Sequence, residues 1–157
     1  MTYRITGLAP QLFAPLFALD DAELAKRRGR RVVTDSDRGF PCRVSLEDAR
    51  DGEELLLIHH THHAVEAPYR SAFAIYVRRQ ASAARIWRDC PPPVFAGRTL
   101  SLRAFTEAGE MVRAQLARDG EADSAIRALL DDSAVAYIDA HNAAAGCFAA
   151  WVERDGR

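Results

Sequence analysis

Asp139, His141 and Cys147 are residues whose types and spacing could activate a thiol. A histidine next to a cysteine can accept the thiol proton, and a carboxylate behind the histidine orients the imidazole. In this hypothesis Cys147 is the nucleophile or redox thiol, His141 is the base and Asp139 is the orienting residue. The hypothesis requires one structural element that brings the three side chains together.

The stretch from residue 135 to 152 is predicted to be that element, a β-hairpin with a turn at residues 142–146. Gly146 can adopt the positive φ of such a turn, and side chains alternate between the two faces of a strand. Opposed Cβ atoms lie about 4.5 to 5.5 Å apart, so side chains on one face can touch. The predicted pairs are His141 with Cys147, Asp139 with Ala149 and Tyr137 with Trp151, and the predicted apolar face holds Ile138, Ala140, Phe148, Ala150 and Val152.

The same three residues also have interpretations without chemistry. A half-buried cysteine packs as a small hydrophobic residue, a histidine is hydrogen-bonded at a strand end, and an aspartate lies in solvent. The many alanines of the stretch also permit a helix. On a helix, where each residue turns the chain by about 100°, His141 and Cys147 would lie far apart.

Four of the five histidines form one run, His59, His60, His62 and His63. The run ends a predicted strand from residue 55 to 63, so His60 and His62 share one face and His59 and His63 share the other. A His-x-His pair can supply two ligands to Zn²⁺ or Fe²⁺, with a third from elsewhere, such as His141 or Glu66. The alternatives are a metal-binding protein with ligands His60, His62 and His141, and a strand end in solvent that needs no cofactor.

Composition indicates one globular domain over residues 1–157, with 48% hydrophobic and 27% charged residues. A net charge of -1 gives no electrostatic reason to expect nucleic-acid or membrane binding. No apolar run reaches the ~18 to 20 residues that span a bilayer, and the first residues do not resemble a signal peptide. Cys42, Cys90 and Cys147 show no CxxC spacing, so a reducing cytoplasm is the expected location.

Strand patterns outnumber helix patterns and do not alternate with them, which predicts the α+β class. We expect an antiparallel or mixed sheet of roughly six to eight strands with two or three helices. Asp20 and Glu23 are predicted to begin one helix, which Gly29 ends, and residues 121–131 form another. The predicted strands cover residues 3–8, 31–34, 42–46, 55–63, 72–77, 99–105 and 110–116, in addition to the hairpin.

Several short blocks of the sequence together resemble a known family. The blocks are Pro41–Leu46, Pro68–Ser71, Leu102–Phe105, Ala136–Ile138, His141-Asn142 and Gly146–Ala149. They are similar to the domain of unknown function family 1203, whose members have about this length. The resemblance implies a bacterial, cytoplasmic protein and implies no particular activity.

Within these blocks lie polar residues suited to binding a small anionic molecule. Arginine presents a planar fork to carboxylate or phosphate, tyrosine and asparagine orient a ligand, and cysteine with histidine can do chemistry. The candidate ligand-binding residues are Cys42, Arg43, Tyr69, Arg70 and Asn142, beside His141 and Cys147. The alternative is that Arg43 and Arg70 pair with carboxylates such as Glu47, Glu66 or Asp139.

The sequence therefore leaves three hypotheses open. The first is a small-molecule enzyme or binding protein that uses a pocket beside the last hairpin. The second is the His-ligated metal protein. The third is a non-catalytic interaction or structural module, for instance a homodimer joined through an exposed sheet edge.

Overall fold

Nine strands and two α-helices make up the fold of residues 1–156, the part of the chain that the computed structural model describes. The larger sheet is antiparallel and has the order β5-β1-β9-β8-β6-β7, and the smaller antiparallel sheet has the order β2-β3-β4. The predicted α+β class is confirmed, and the strands divide into two sheets. The elements are β1 (Tyr3–Thr6), α1 (Asp21–Lys26), β2 (Gly29–Val33), β3 (Glu54–His63), β4 (Ser71–Arg78), β5 (Ile86–Arg88), β6 (Leu100–Phe105), β7 (Met111–Ala117), α2 (Ala122–Leu130), β8 (Tyr137–Asn142) and β9 (Phe148–Arg154), with short 3₁₀ turns at Pro10–Leu12, Ala14–Ala18 and Pro93–Phe95.

Helix α2 covers one face of the larger sheet. Its apolar stripe contains Ile126, Leu129 and Leu130, which share a buried core with Ile138 and Val152 of the last two strands. Because side chains alternate along a strand, the neighbours of Ile138 on β8 point to the opposite face. That opposite face carries Asp139 and His141, as the sequence predicted.

The smaller sheet has a separate core. Leu56, Ile58, Ile75 and Val77 pack against the apolar residues Phe13, Phe17 and Leu24 of the N-terminal segment. Asp20 begins α1 as predicted, and its carboxylate accepts a hydrogen bond of 2.8 Å from the Glu23 backbone N–H. The predicted helix end at Gly29 is wrong: the left-handed residue is Arg28, with φ 57°, and Gly29 begins β2.

Residues 41–49 connect the two sheets and do not form the strand predicted at 42–46. The Arg43 backbone N–H donates to the Tyr76 carbonyl of the smaller sheet (3.0 Å), and the Arg43 carbonyl accepts from Leu8 just after β1 (2.7 Å). Leu46 has a positive φ of 55°, which breaks an extended chain. Because these backbone groups bond to partners in both sheets, they are not available for a regular strand ladder.

The last hairpin forms as predicted, with Gly146 at φ 75°, but its predicted register is wrong. The turn is one residue shorter than predicted, so the Asn142 backbone N–H bonds to the Cys147 carbonyl and His141 pairs with Phe148. A bulge then leaves Ala149 as an extra residue on β9, and Asp139 pairs with Trp151. A bulge changes the direction in which the side chains on one side of it point. As a result, Cys147 does not face His141, and Phe148 leaves the predicted apolar face and stacks on His62, with ring centroids 5.0 Å apart.

A second bulge interrupts the pairing of β3 with β4. Thr61 pairs with Ala72 and His63 pairs with Ser71, so His62 is the extra residue. The predicted alternation therefore fails at this point, and both His62 and His63 turn toward the larger sheet. His62 meets His141 there, with ring centroids 5.0 Å apart, and His63 meets Tyr137.

The helices of residues 1–156 are all too short or too polar to cross a lipid bilayer.

Candidate functional site

Arg43 is the most deeply buried cation of the candidate site, with only 2% of its surface exposed. Its Nε donates to the Phe148 carbonyl (2.7 Å), and one terminal nitrogen donates to the Pro41 carbonyl. The other terminal nitrogen donates to the Cys147 sulfur at 3.2 Å. The side chain is thereby fixed between the connecting segment and the start of β9.

The guanidinium of Arg43 has no carboxylate partner in the part of the chain that the structure describes. None of the ion pairs among residues 1–156 involves it. Burial lowers the pKa of this guanidinium, because the charged form is removed from water. An unpaired buried charge of this kind is costly for the fold and favours an anion nearby.

Cys147 and Asn142 lie beside Arg43. The Cys147 sulfur is partly exposed and accepts a second hydrogen bond, 3.3 Å long, from the Asn142 side-chain amide. The Asn142 carbonyl oxygen Oδ1 is buried and has no hydrogen-bond partner among residues 1–156. The group thus places a cation, a thiol and a buried acceptor side by side.

A cavity of about 560 Å³ lies between the smaller sheet and the β8–β9 turn, and these three side chains form part of its wall. Most of the other lining residues are apolar or aromatic. The nearby cation Arg98 is already neutralised by Asp48, at 2.7 Å. The lining residues are Gly39, Pro41, Arg43, Leu57, Phe73, Ala74, Tyr76, Gly97, Arg98, Thr99, Asn142, Ala143, Ala144, Ala145 and Cys147.

The predicted ligand-binding residues are divided between this cavity and other places. Arg43 and Asn142 line the cavity together with Cys147. Cys42 is instead fully buried in the core of the smaller sheet. Tyr69 packs on Phe105 outside the cavity. Arg70 is exposed and pairs with Glu66 at 3.1 Å, which agrees with the alternative prediction of a pair with a carboxylate.

The predicted series Cys147–His141–Asp139 is not assembled in the structure. The Cys147 sulfur is bonded to Arg43 and Asn142. The His141 Nδ1 atom lies 3.0 Å from the Gly146 carbonyl oxygen, and Asp139 makes no side-chain hydrogen bond among residues 1–156. The physical reason is the turn between β8 and β9, which is one residue shorter than predicted and places Phe148 opposite His141.

His141 and Asp139 belong instead to a second group, which also contains His62. One ligand atom from each of the three side chains lies within 4.8 Å of the other two. Asp139 and His141 are buried on β8, and His62 reaches them from the bulge in β3. His60, the predicted partner of His62, lies against Phe13, with ring centroids 5.4 Å apart.

Hydrogen bonds hold the two imidazoles of this group by one nitrogen each. A carbonyl oxygen only accepts, so the 3.0 Å contact with Gly146 places the proton of His141 on Nδ1 and leaves Nε2 with its lone pair. The Nε2 atom of His62 lies 3.0 Å from the Ser71 hydroxyl. The Nδ1 atom of His62 is buried without a partner among residues 1–156.

Burial dominates the electrostatics of the second group. It lowers the pKa of His62 to about 3 and that of His141 to about 4, and it raises the pKa of Asp139 to about 7. The charge of nearby Arg103 lowers all three values. Both imidazoles are therefore neutral at pH 7, the form in which histidine binds a metal ion.

The sequence did not predict that Asp139 and His62 lie close together, or that Tyr76 lines the cavity. A signal for Asp139 is present, because it is a carboxylate in a strand whose neighbours Ile138 and Ala140 are apolar. Tyr76 similarly interrupts the apolar strand β4. The bulge at His62 has no glycine or other local signal that would reveal it.

Comparison with protein families gives one match, and it covers most of the chain. A family model described as "Protein of unknown function (DUF1203)" matches residues 39–154. The matched region includes β3 to β9 and both groups of side chains. Comparisons with curated proteins and with solved structures give no match.

Proposed function

The chain belongs to the DUF1203 family of proteins of unknown function, and we propose that it binds a small anionic molecule in the cavity beside Arg43 and Cys147. The observation that carries the proposal is the buried guanidinium of Arg43, which forms part of the cavity wall and has no carboxylate partner among residues 1–156. An anion from solution would supply the missing counter-charge.

The energetic argument concerns the cost of the buried charge. Removing an ion from water costs several kcal/mol, and a hydrogen-bonded counter-ion offsets much of that cost. A guanidinium has five N–H donors, and three of those of Arg43 have protein acceptors. The remaining donors can bind a carboxylate or phosphate oxygen.

The cavity also restricts the rest of the ligand. Its volume of about 560 Å³ suits a small organic molecule. Leu57, Phe73 and Tyr76 favour an apolar body on the ligand. We therefore expect a short-chain carboxylate with an apolar body, whose anionic group lies near the Cys147 sulfur.

Alkylation of Cys147 by two reagents of similar size tests the proposal. Iodoacetate is an anion and iodoacetamide is neutral, so the ratio of their rates reports the charge around the thiol. The ratio is the rate with iodoacetate divided by the rate with iodoacetamide. In folded protein with a chelator present, we expect this ratio at Cys147 to exceed that of the urea-unfolded chain by at least about tenfold. Mass spectrometry of the modified peptides gives the rates, and exposed Cys90 is the internal reference.

Two variants make the alkylation test specific. Asn142→Asp places a carboxylate of nearly the same shape beside Arg43 and should return the ratio to that of the unfolded chain. Arg70→Gln removes an exposed arginine outside the cavity and should leave the ratio unchanged. Equal ratios in folded and unfolded protein, or an equal effect of the two variants, would contradict the proposal.

We also propose that the protein works in the bacterial cytoplasm. Cys42, Cys90 and Cys147 are all free thiols, and Cys90 is exposed. Exposed free thiols suit a compartment that keeps cysteines reduced. Fractionation of expressing cells should find the protein with cytoplasmic markers, and recovery with envelope fractions would contradict this location.

A further inference from the structure

We propose that His62, Asp139 and His141 bind one divalent transition-metal ion, Zn²⁺ or Fe²⁺, between the two sheets. This site is separate from the anion-binding cavity and does not depend on it. The proposal stands on three observations: an unpaired buried carboxylate, two imidazoles held with a free nitrogen each, and the closeness of the three ligand atoms.

Asp139 provides the first observation. It is only 1% exposed, and both carboxylate oxygens are buried without a hydrogen-bond partner among residues 1–156. Arg103 is its neighbour on β6, yet no ion pair between the two is formed. Buried carboxylates are normally paired or bound to a metal ion, so this one points to a missing cation.

The two imidazoles provide the second observation. Metal-binding histidines usually bond through their second nitrogen to a carbonyl, a carboxylate or a similar group, which fixes the ring and its proton. His141 does so through Gly146, and His62 does so through Ser71, each at 3.0 Å. With the His62 proton on the nitrogen that faces Ser71, the free nitrogens are Nε2 of His141 and Nδ1 of His62.

Geometry provides the third observation. The ligand atoms lie within 4.8 Å of one another. A tetrahedral Zn²⁺ with bonds of about 2.1 Å would hold them about 3.4 Å apart, so binding requires side-chain movements on the order of 1 Å. Two histidines and one carboxylate are a ligand set suited to both Zn²⁺ and Fe²⁺.

The position of the group favours an open coordination site. Three protein ligands leave at least one position for water or a solute. His62 also lines a second cavity of about 450 Å³, together with Phe148 and Trp151, which are the β9 partners of His141 and Asp139. His62 is the one proposed ligand that lines this cavity, so the cavity adjoins the site through His62.

Metal titration of untagged, chelator-stripped protein tests the site. Isothermal titration with Zn²⁺, and separately with Fe²⁺ under anaerobic conditions, should show one ion per chain. Asp139→Asn and His62→Gln should each weaken binding more than about 100-fold, since even loss of an orienting residue costs about 10- to 100-fold. Ser71→Ala, which removes only the orienting hydroxyl of His62, should fall in that lower range.

His59→Gln is the matched control, because His59 is an exposed histidine of the same run. It should bind metal as the unchanged chain does. Circular dichroism establishes whether each variant folds. If His62→Gln does not fold, Ser71→Ala still tests the site, because it keeps all three ligands. The proposal is overturned if the unchanged chain binds no stoichiometric ion, if Asp139→Asn binds normally, or if His59→Gln loses as much affinity as His62→Gln.

Discussion

Arg43 and Asp139 are buried ionisable residues, and neither forms an ion pair among residues 1–156. Arg43 donates to the Phe148 carbonyl at the start of β9, and Asp139 lies opposite Trp151 in the middle of the same strand. Each lowers the stability of the ligand-free protein, because burial separates its charge from water. Each cost is relieved by an ion of opposite sign, which is why we assign an anion to the first and a cation to the second.

At the residue scale, Asp139→Asn should stabilise the metal-free protein. The substitution keeps the shape and removes a charge that has no partner, so the free energy of unfolding at pH 8 should rise by about 1 kcal/mol or more. Urea unfolding with a chelator present measures it. Asp48→Asn is the control. It should lower the free energy of unfolding, because Asp48 pairs with Arg98. A loss of stability in Asp139→Asn would indicate that Arg103 neutralises the carboxylate.

At the element scale, the sequence predicted which segments become strands better than it predicted their pairing. Alternation identified β6 and the β8–β9 hairpin, a continuous apolar run identified β3, and the Asp20 cap identified the start of α1. The bulges at His62 and Ala149 each add one residue, which reverses the face of every residue beyond them. The β8–β9 turn is also one residue shorter than predicted, which is why the sequence named His141 as a site residue and assigned it the wrong partner.

The ends of β3 and β4 are held by an ion pair whose effect should depend on pH. Arg78 donates two hydrogen bonds to Glu53, of 2.6 and 2.8 Å, and these bonds hold the pKa of the carboxyl below its usual range. The carboxylate therefore stabilises the fold above its unfolded pKa, and this contribution is lost as pH falls through the lower folded value.

Glu53→Gln should accordingly lower the free energy of unfolding by about 1 to 3 kcal/mol at pH 7. The difference from the unchanged chain should shrink as pH falls from 7 toward 3, because protonation of Glu53 removes the charge that Gln also lacks. Glu66→Gln breaks an exposed pair and should change stability by less than about 1 kcal/mol. A Glu53→Gln deficit of the same size at both pH values would show that the ion pair is not its cause.

At the scale of the whole molecule, both candidate sites lie where the two sheets meet. The connecting segment passes so close to β1 that a Cβ on Gly7 would lie 2.1 Å from the Val44 carbonyl oxygen, a distance that only glycine permits. Local patterns in the sequence do not show which sheet a strand joins, so the meeting of His62 with Asp139 was not predictable from spacing. Formation of a homodimer through an exposed sheet edge stays a prediction.

Binding of a charged probe and its neutral isostere tests the central claim, the anion site at Arg43, most directly. Butyrate and butyramide are nearly equal in size and differ in charge. In a nuclear magnetic resonance titration, butyrate should cause saturable shifts at the Arg43 side chain, the Asn142 amide and the Cys147 backbone, and butyramide should cause none of comparable size. Equal shifts with both probes, or shifts with butyrate confined to exposed arginines such as Arg70, would contradict the account.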